Sequence, residues 1–258
     1  MNKFLLLVLI YCCPVLTMFG QDSLHVASDE SFKAKRHSFV TELNINPFQG
    51  NLSLNNALNQ IKLRYFVSDQ VALRMGFSAN SVKDNSSASS PYGTNPFTNT
   101  EVRRSTTLSF NPGFEKHFAG TKRLSPYLGV EAMLAKKTSS HEITNSNSSM
   151  TIEGGWRQQF YSNNPNYPVL TSTYAERAFF KYGLNLITGF DFYMSRHFYF
   201  GYEITFGFSN TKYADIDTST VYTSGGNVPS ESVVVDLDDK SFSLGPNLIN
   251  GIRLGYAF

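Results

Sequence analysis

The sequence predicts an all-β fold, a closed antiparallel up-and-down transmembrane β-barrel of about eight strands with long loops at one end. Three observations predict it. Apolar and polar residues alternate with period two over runs of about ten residues, again and again along the 258-residue chain. Aromatic residues reach 14%, with 22 Phe and 14 Tyr against a single Trp, while charged residues make up only 16%, well below the roughly 25% of ordinary soluble domains. The connections between the alternating runs are short and long by turns. A hydrophobic fraction of 41% does not suggest a helical membrane protein, and a formal charge of +2 gives no reason to expect nucleic acid as a partner.

Residues 1–20 read as a secretory signal. Lys3 supplies the positive charge, an apolar run extends from Phe4 to about Phe19, and Gly20 before Gln21 offers a small residue for cleavage. The run contains Pro14 and falls short of the roughly 20 residues of a membrane-spanning helix. Both cysteines, Cys12 and Cys13, leave with it, so the mature chain has no disulfide or thiolate chemistry. Residues 21–36 form an N-terminal segment, and residues 37–258 the barrel domain.

The first strand, 38–46, sets Phe39, Thr41, Leu43 and Ile45 against Glu42 and Asn44. The second, 58–66, sets Ile61, Leu63 and Tyr65 against Gln60, Lys62 and Arg64. After the turn at 67–70, Val71, Leu73, Met75, Phe77 and Ala79 oppose Ala72, Arg74, Gly76, Ser78 and Asn80. The fourth, 102–118, opposes Leu108, Phe110 and Phe114 to Ser109, Asn111, Gly113, Glu115 and His117. Beyond the turn at 119–123, the fifth carries Leu128, Val130, Ala132 and Leu134 against Gly129 and Glu131.

The sixth and seventh strands are the longest patterns. Phe180, Tyr182, Leu184, Leu186, Thr188, Phe190 and Phe192 oppose Lys181, Gly183, Asn185, Ile187, Gly189 and Asp191. Past the turn at 194–197, Phe198, Phe200, Tyr202, Ile204, Phe206 and Phe208 oppose Tyr199, Gly201, Glu203, Thr205, Gly207 and Ser209. The eighth runs from Phe242 to Phe258, with Leu244, Ile252, Leu254 and Tyr256 on its apolar face. Longer polar connections at 47–57, 81–101, 138–177 and 213–240 join the other ends.

Strands of a soluble sandwich average about five or six residues, and their charged face meets water. Here the apolar faces are unbroken and the charges lie opposite them, an arrangement that suits a lipid solvent outside and a polar interior. Closure then follows, because an unpaired strand edge in hydrocarbon leaves backbone groups unsatisfied. The rings fall at two levels. Tyr65, Phe66, Phe118, Phe192, Tyr193, Phe198, Tyr256 and Phe258 belong to the short-turn end, and Phe77, Phe180, Tyr182, Phe206, Phe208 and Phe242 to the long-loop end.

A secretory signal, eight two-faced strands, short turns opposite long loops and the final "IRLGYAF" together resemble the small OmpA/OmpX-type outer-membrane β-barrel family over about residues 37–258. The resemblance implies an outer-membrane location after signal cleavage, with membrane lipid and the assembly machinery as partners. It also implies that Ile252, Leu254, Tyr256 and Phe258 act as an assembly signal. Larger members of that family carry a soluble peptidoglycan-binding domain after the barrel; the chain ends at the barrel, so that role is not expected.

The predicted register turns Glu42, Lys62, Arg64, Arg74, Glu115, Glu131, Lys181, Asp191, Glu203 and Arg253 inward, five basic and five acidic. Buried charge is costly unless paired, and about eight strands leave room for little but side chains. A salt-bridge network filling the lumen is therefore expected, with an ion path as the alternative. The long loops are the other seat of function. Trp156, Arg157, Phe160, Tyr161 and Tyr167 in the 138–177 loop are candidates for recognition of an extracellular ligand or envelope protein, within a segment that forms either a protruding hairpin or two further strands, making ten.

Asp215, Asp217, Glu231, Asp236, Asp238 and Asp239 crowd the 213–240 loop, but "DLDDKS" lacks the glycine and spacing of a calcium loop, so no metal is expected. No nucleophile motif, phosphate loop or cofactor motif is present. His141 has Glu142 beside it, yet neighbours on a strand point to opposite faces, and His117 and His197 fall near the short-turn end. The expected role is structural or adhesive, without catalysis or cofactor. The alternatives are a small or gated pore, a rim-site barrel enzyme and an accessory subunit of an outer-membrane complex.

Overall fold

The computed structural model describes residues 31–45, 58–92, 97–161, 170–222, 231–236, 238–247 and 252–258. In chain order the strands are β1 (Phe39–Ile45), β2 (Leu58–Ser68), β3 (Val71–Ser90), β4 (Phe97–His117), β5 (Leu124–Asn145), β6 (Ser148–Glu153) and β7 (Trp156–Tyr161). They continue as β8 (Leu170–Ala175), β9 (Phe179–Tyr193), β10 (Phe198–Tyr213), β11 (Ile216–Tyr222), β12 (Glu231–Val235), β13 (Lys240–Asn247) and β14 (Ile252–Ala257).

The pairings run in a ring of eight antiparallel strands. β1 to β5 pair in sequence, β5 pairs with β9, and β9 with β10. The eighth strand comes as two described segments, β13 and β14, both on β10, and β14 returns to β1 through Val40–Ala257 and Leu43–Leu254. At the level of β14 every strand of the ring has a neighbour on each side, as backbone in hydrocarbon requires; β13 pairs with β10 alone among the described residues. The alternation of the sequence maps directly onto the ring. Leu73, Phe77, Phe110, Phe114, Leu184, Leu186, Ile204, Phe206 and Leu254 are exposed on the outside, while Arg64, Arg74, Glu115, Asp191, Glu203 and Arg253 are buried inside.

The outer face turns polar toward the long-connection end at one level. Ala79 pairs with Leu108, but one step on Ser81 pairs with Thr106, and their hydroxyls meet at 3.0 Å. Around the ring, Lys136, Phe180, Lys212 and Lys240 stand directly opposite one another on β5, β9, β10 and β13. A row of lysines heading an apolar band is where long cationic side chains reach an aqueous interface.

Above that level the structure differs from the sequence expectation. Residues 81–101 and 138–177 are largely strand rather than loop: β3 and β4 stay paired out to Ser90 and Phe97, and β5 to Asn145. There β5 leaves β9, takes β6 from Ser140 onward, and β6 carries β11 and then β12. β7 and β8 form a separate two-stranded ribbon, so the described ring keeps eight strands. Over residues 81–90 both faces of the extension meet water, so that strand has no apolar face to alternate, and cross-strand pairing of Ser, Thr and Asn residues sustains it.

Two aromatics also depart from the expected girdle. Phe66 and Tyr193 point inward and are buried. With Ala34, Val40, Ala72, Tyr199 and Ala257 they form an apolar cluster at the short-turn mouth, joined by Phe32. Residues 32–38 cross this mouth: the Phe32 N–H donates to Lys122 O, the His37 N–H to Phe66 O, and the Arg123 guanidinium lies 4.3 Å from the Phe32 ring. The inward parity of Arg64 and Asp191 simply continues to residues 66 and 193, where carbon replaces charge.

Candidate functional site

The lumen is built from the inward residues of all eight ring strands. Arg64 on β2 is its hub, 2.8 Å from Asp191, 3.2 Å from Glu42 and 3.3 Å from Glu115. Arg253 on β14 lies 2.7 Å from Asp191, 3.1 Å from Glu42 and 3.4 Å from Glu203. Glu203 on β10 also takes Lys62 at 2.7 Å and Arg74 at 3.0 Å, and Arg74 lies 3.0 Å from Glu131. Neutral groups fill the gaps. The Tyr127 hydroxyl donates to Glu203 at 2.7 Å, the Tyr199 hydroxyl to Glu42 at 2.8 Å, and the Asn111 amide to Glu131 at 3.1 Å.

Nine of the ten charges expected inside therefore meet in one buried network; the tenth does not. Lys181 shares the inward parity, but it is half-buried near the rim, level with Ala135 and Thr211, and has no carboxylate partner among the described residues. Four cations thus face five carboxylates, and the His117 ring stands 3.6 Å from Glu115, at the same oxygen that Arg64 approaches. Sequence reasoning missed the tyrosines and His117 as members, although all three carry the inward parity.

Close packing shows in the glycines. A Cβ on Gly255 would lie 2.0 Å from the Tyr199 ring, and one on Gly201 within 3 Å of both Arg253 and Asp191. Large and small residues alternate across the lumen so that side chains fill it, as a narrow barrel requires.

A second arrangement sits at the other end, beyond the apolar band. Arg103 on β4 and His141 on β5 are register partners. The Arg103 Nη2 donates to Glu101 at 3.0 Å, and its Nε approaches His141 Nε2 at 3.5 Å. β7 packs onto this same inward face: the Arg157 backbone N–H donates to His141 Nδ1 at 3.2 Å, and the Trp156 indole to the Arg104 carbonyl at 2.9 Å. Gly154 makes the turn possible, with φ of +92° and no room for a Cβ against the Asp215 carbonyl. Burial, and then the neighbouring Arg103 charge, hold the His141 imidazole below its ordinary value. Glu101, Arg103, His141 and Arg157, together with Gln158 and Gln159, wall a polar cleft of about 630 Å³.

The partners of His141 are thus Glu101, Arg103 and Arg157; Glu142 turns away and binds Arg104 at 2.5 Å. Of the aromatic loop candidates, Trp156 and Arg157 are placed as just described. Phe160 and Tyr161 lie on β7 with side chains outside the described residues, and Tyr167 falls outside them altogether. In the acidic segment, Asp239 pairs with Arg177 at 2.5 Å, Asp238 with Lys240 at 2.9 Å, and Asp217 accepts from Ser232. Ile252, Leu254 and Phe258 are exposed on the outer face, and Tyr256 packs between the Phe198 and Phe258 rings.

Residues 44–215 match the model of the OmpA-OmpF-like porin family. No curated protein matches the chain. Among solved structures, the N-terminal β-barrel domain of Pseudomonas aeruginosa OprF aligns at 11% identity and a TM-score of 0.31, over 87% of this chain and all of that one. The outer membrane protein OprG from the same organism aligns at 14% identity and a TM-score of 0.35, over 89% of this chain and 99% of that one.

Proposed function

The chain belongs to the OmpA-OmpF-like porin family of outer-membrane β-barrels, and from that premise we propose that it is a structural barrel with a blocked lumen that stabilises the envelope and presents its rim to the exterior. The observation that carries this reading is the buried network of Arg64, Arg74, Arg253 and Lys62 with five carboxylates. An ion crossing it has to displace paired charges that have already given up their hydration, a cost of several kcal/mol for each ion left unpaired. The apolar cluster of Phe66, Tyr193 and Tyr199 and the crossing residues 32–38 support a block at the short-turn mouth as well. A wide aqueous channel belongs to barrels of many more strands.

Residues 1–20 direct export and are removed in this reading. The outward strip Ile252, Leu254, Tyr256 and Phe258 is the segment offered to the assembly machinery. The reading includes no catalysis: Ser125 and His117 lie 2.9 Å apart inside the barrel, but both are buried.

Deletion of the gene in its own host separates structure from transport. The expected outcome is loss of detergent resistance with unchanged uptake of small solutes, restored by re-expression of the chain. Slowed solute uptake with intact detergent resistance would overturn the reading in favour of a pore.

A further inference from the structure

Among the described residues, the rim cleft holds a cation that no carboxylate pairs. Two guanidiniums, Arg103 and Arg157, face it, and Glu101 is the one carboxylate among its described lining. Glu101 is already engaged by Arg103 at 3.0 Å. The described contact of the Arg157 guanidinium is Met150 Sδ at 3.2 Å, a weak acceptor for so strong a donor. No carboxylate among the described residues pairs with it. His141 is buried between the two arginines and binds the Arg157 backbone, which fixes where β7 places the side chain. A half-buried cation in a polar cleft, with no counter-ion among the described residues, is an anion site by charge complementarity.

The rest of the wall narrows the ligand. Gln158 and Gln159 add amide donors and acceptors, and the Asn99 Oδ1 is buried without a hydrogen-bond partner, an acceptor left for an incoming hydroxyl. The volume lies within the range of small-molecule sites. The cleft is on the inward face of the extension, on the same side of β5 as the lumen, so it opens to water rather than to lipid.

We propose that this cleft binds a carboxylate or phosphate carried on a hydroxyl-rich molecule of acidic-sugar type, with the Arg157 guanidinium as the anion's principal partner, Arg103 as the second, and the amides and Asn99 reading hydroxyls. The site goes beyond the structural reading above and does not depend on whether the lumen conducts.

Trp156 is the chain's one tryptophan and adjoins Arg157, so its fluorescence reports the site directly. Full-length protein in detergent micelles would be titrated with glucuronate, glucose and inorganic phosphate. Glucuronate is expected to change the Trp156 signal saturably, phosphate to do so more weakly, and glucose not at all. R157Q is expected to weaken glucuronate at least tenfold and R157K to retain part of the affinity, with gel mobility showing both folded. Absence of saturable binding by glucuronate, or unchanged binding in R157Q, would overturn the proposal. Phosphate equalling glucuronate would overturn its hydroxyl-reading half. None of these results bears on detergent resistance, so this site and the structural role fail separately.

Discussion

Replacing Arg64 with Met is expected to destabilise the folded barrel by about 3–5 kcal/mol, the range for breaking a buried ion pair from one side. Arg64 touches three carboxylates, and they do not depend on it equally. Asp191 and Glu42 keep Arg253 at 2.7 and 3.1 Å. Among the described residues Glu115 keeps Arg74 at 3.8 Å and the His117 ring at 3.6 Å and no closer cation, so it is left closest to an isolated buried charge. The double variant R64M/E115Q should therefore recover part of the loss, because a glutamine in that place is polar but uncharged. The urea midpoint of the folded band, followed by heat-dependent gel mobility in phospholipid vesicles, measures both. A double variant no more stable than R64M would show that Glu115 is not the stranded charge.

Arginine in place of Leu186 is expected to cost about 2–4 kcal/mol, the penalty for a cation on the lipid face near the bilayer midplane. Leu186 is half exposed, at 50%, in the middle of the outward series of β9, flanked by Val130 on β5 and Phe206 on β10. Arginine in place of Ser81, which also faces outward but lies above the row of Lys136 and Lys212, should change stability by less than about 1 kcal/mol. The same urea titration in vesicles compares them. Equal, small effects at both positions would mean that the band meets water instead of lipid.

The ring was legible in the sequence because one physical rule governs each of its strands: lipid outside selects carbon, a narrow lumen selects paired charge and small residues, and the two alternate with period two. Phe180 to Phe192 and Phe198 to Phe208 carry that rule over most of their length, with Thr188 outside and Ile187 inside as exceptions. The extension was not legible because the rule lapses there. Residues 81–90 have water on both sides, so "SVKDNSSASS" reads as loop although it pairs residue for residue with β4. Phe66 and Tyr193 were assigned by their ring chemistry to an interface when their parity placed them inside. Lys181 kept its parity and still fell outside the network, because parity fixes the face and not the height in the lumen.

The rim cleft was half hidden. A single register carries the pairing of His117 with Tyr127, beside the short turn, up to that of Arg103 with His141, so counting outward from the turn would have brought those two together. No such count reaches Arg157. Its place depends on the turn at Gly154 and Gly155, which folds β7 over the inward face of β5, and glycines leave that direction unspecified in the sequence.

The most direct measurement is single-channel current through the refolded chain in a planar lipid bilayer, with heat-dependent gel mobility confirming that the inserted protein is folded. A lumen filled by Arg64, Arg74, Arg253, Lys62 and their five carboxylates predicts a silent membrane at moderate voltage. Stable current steps of uniform size from folded protein would contradict it and make those nine side chains the lining of a pore.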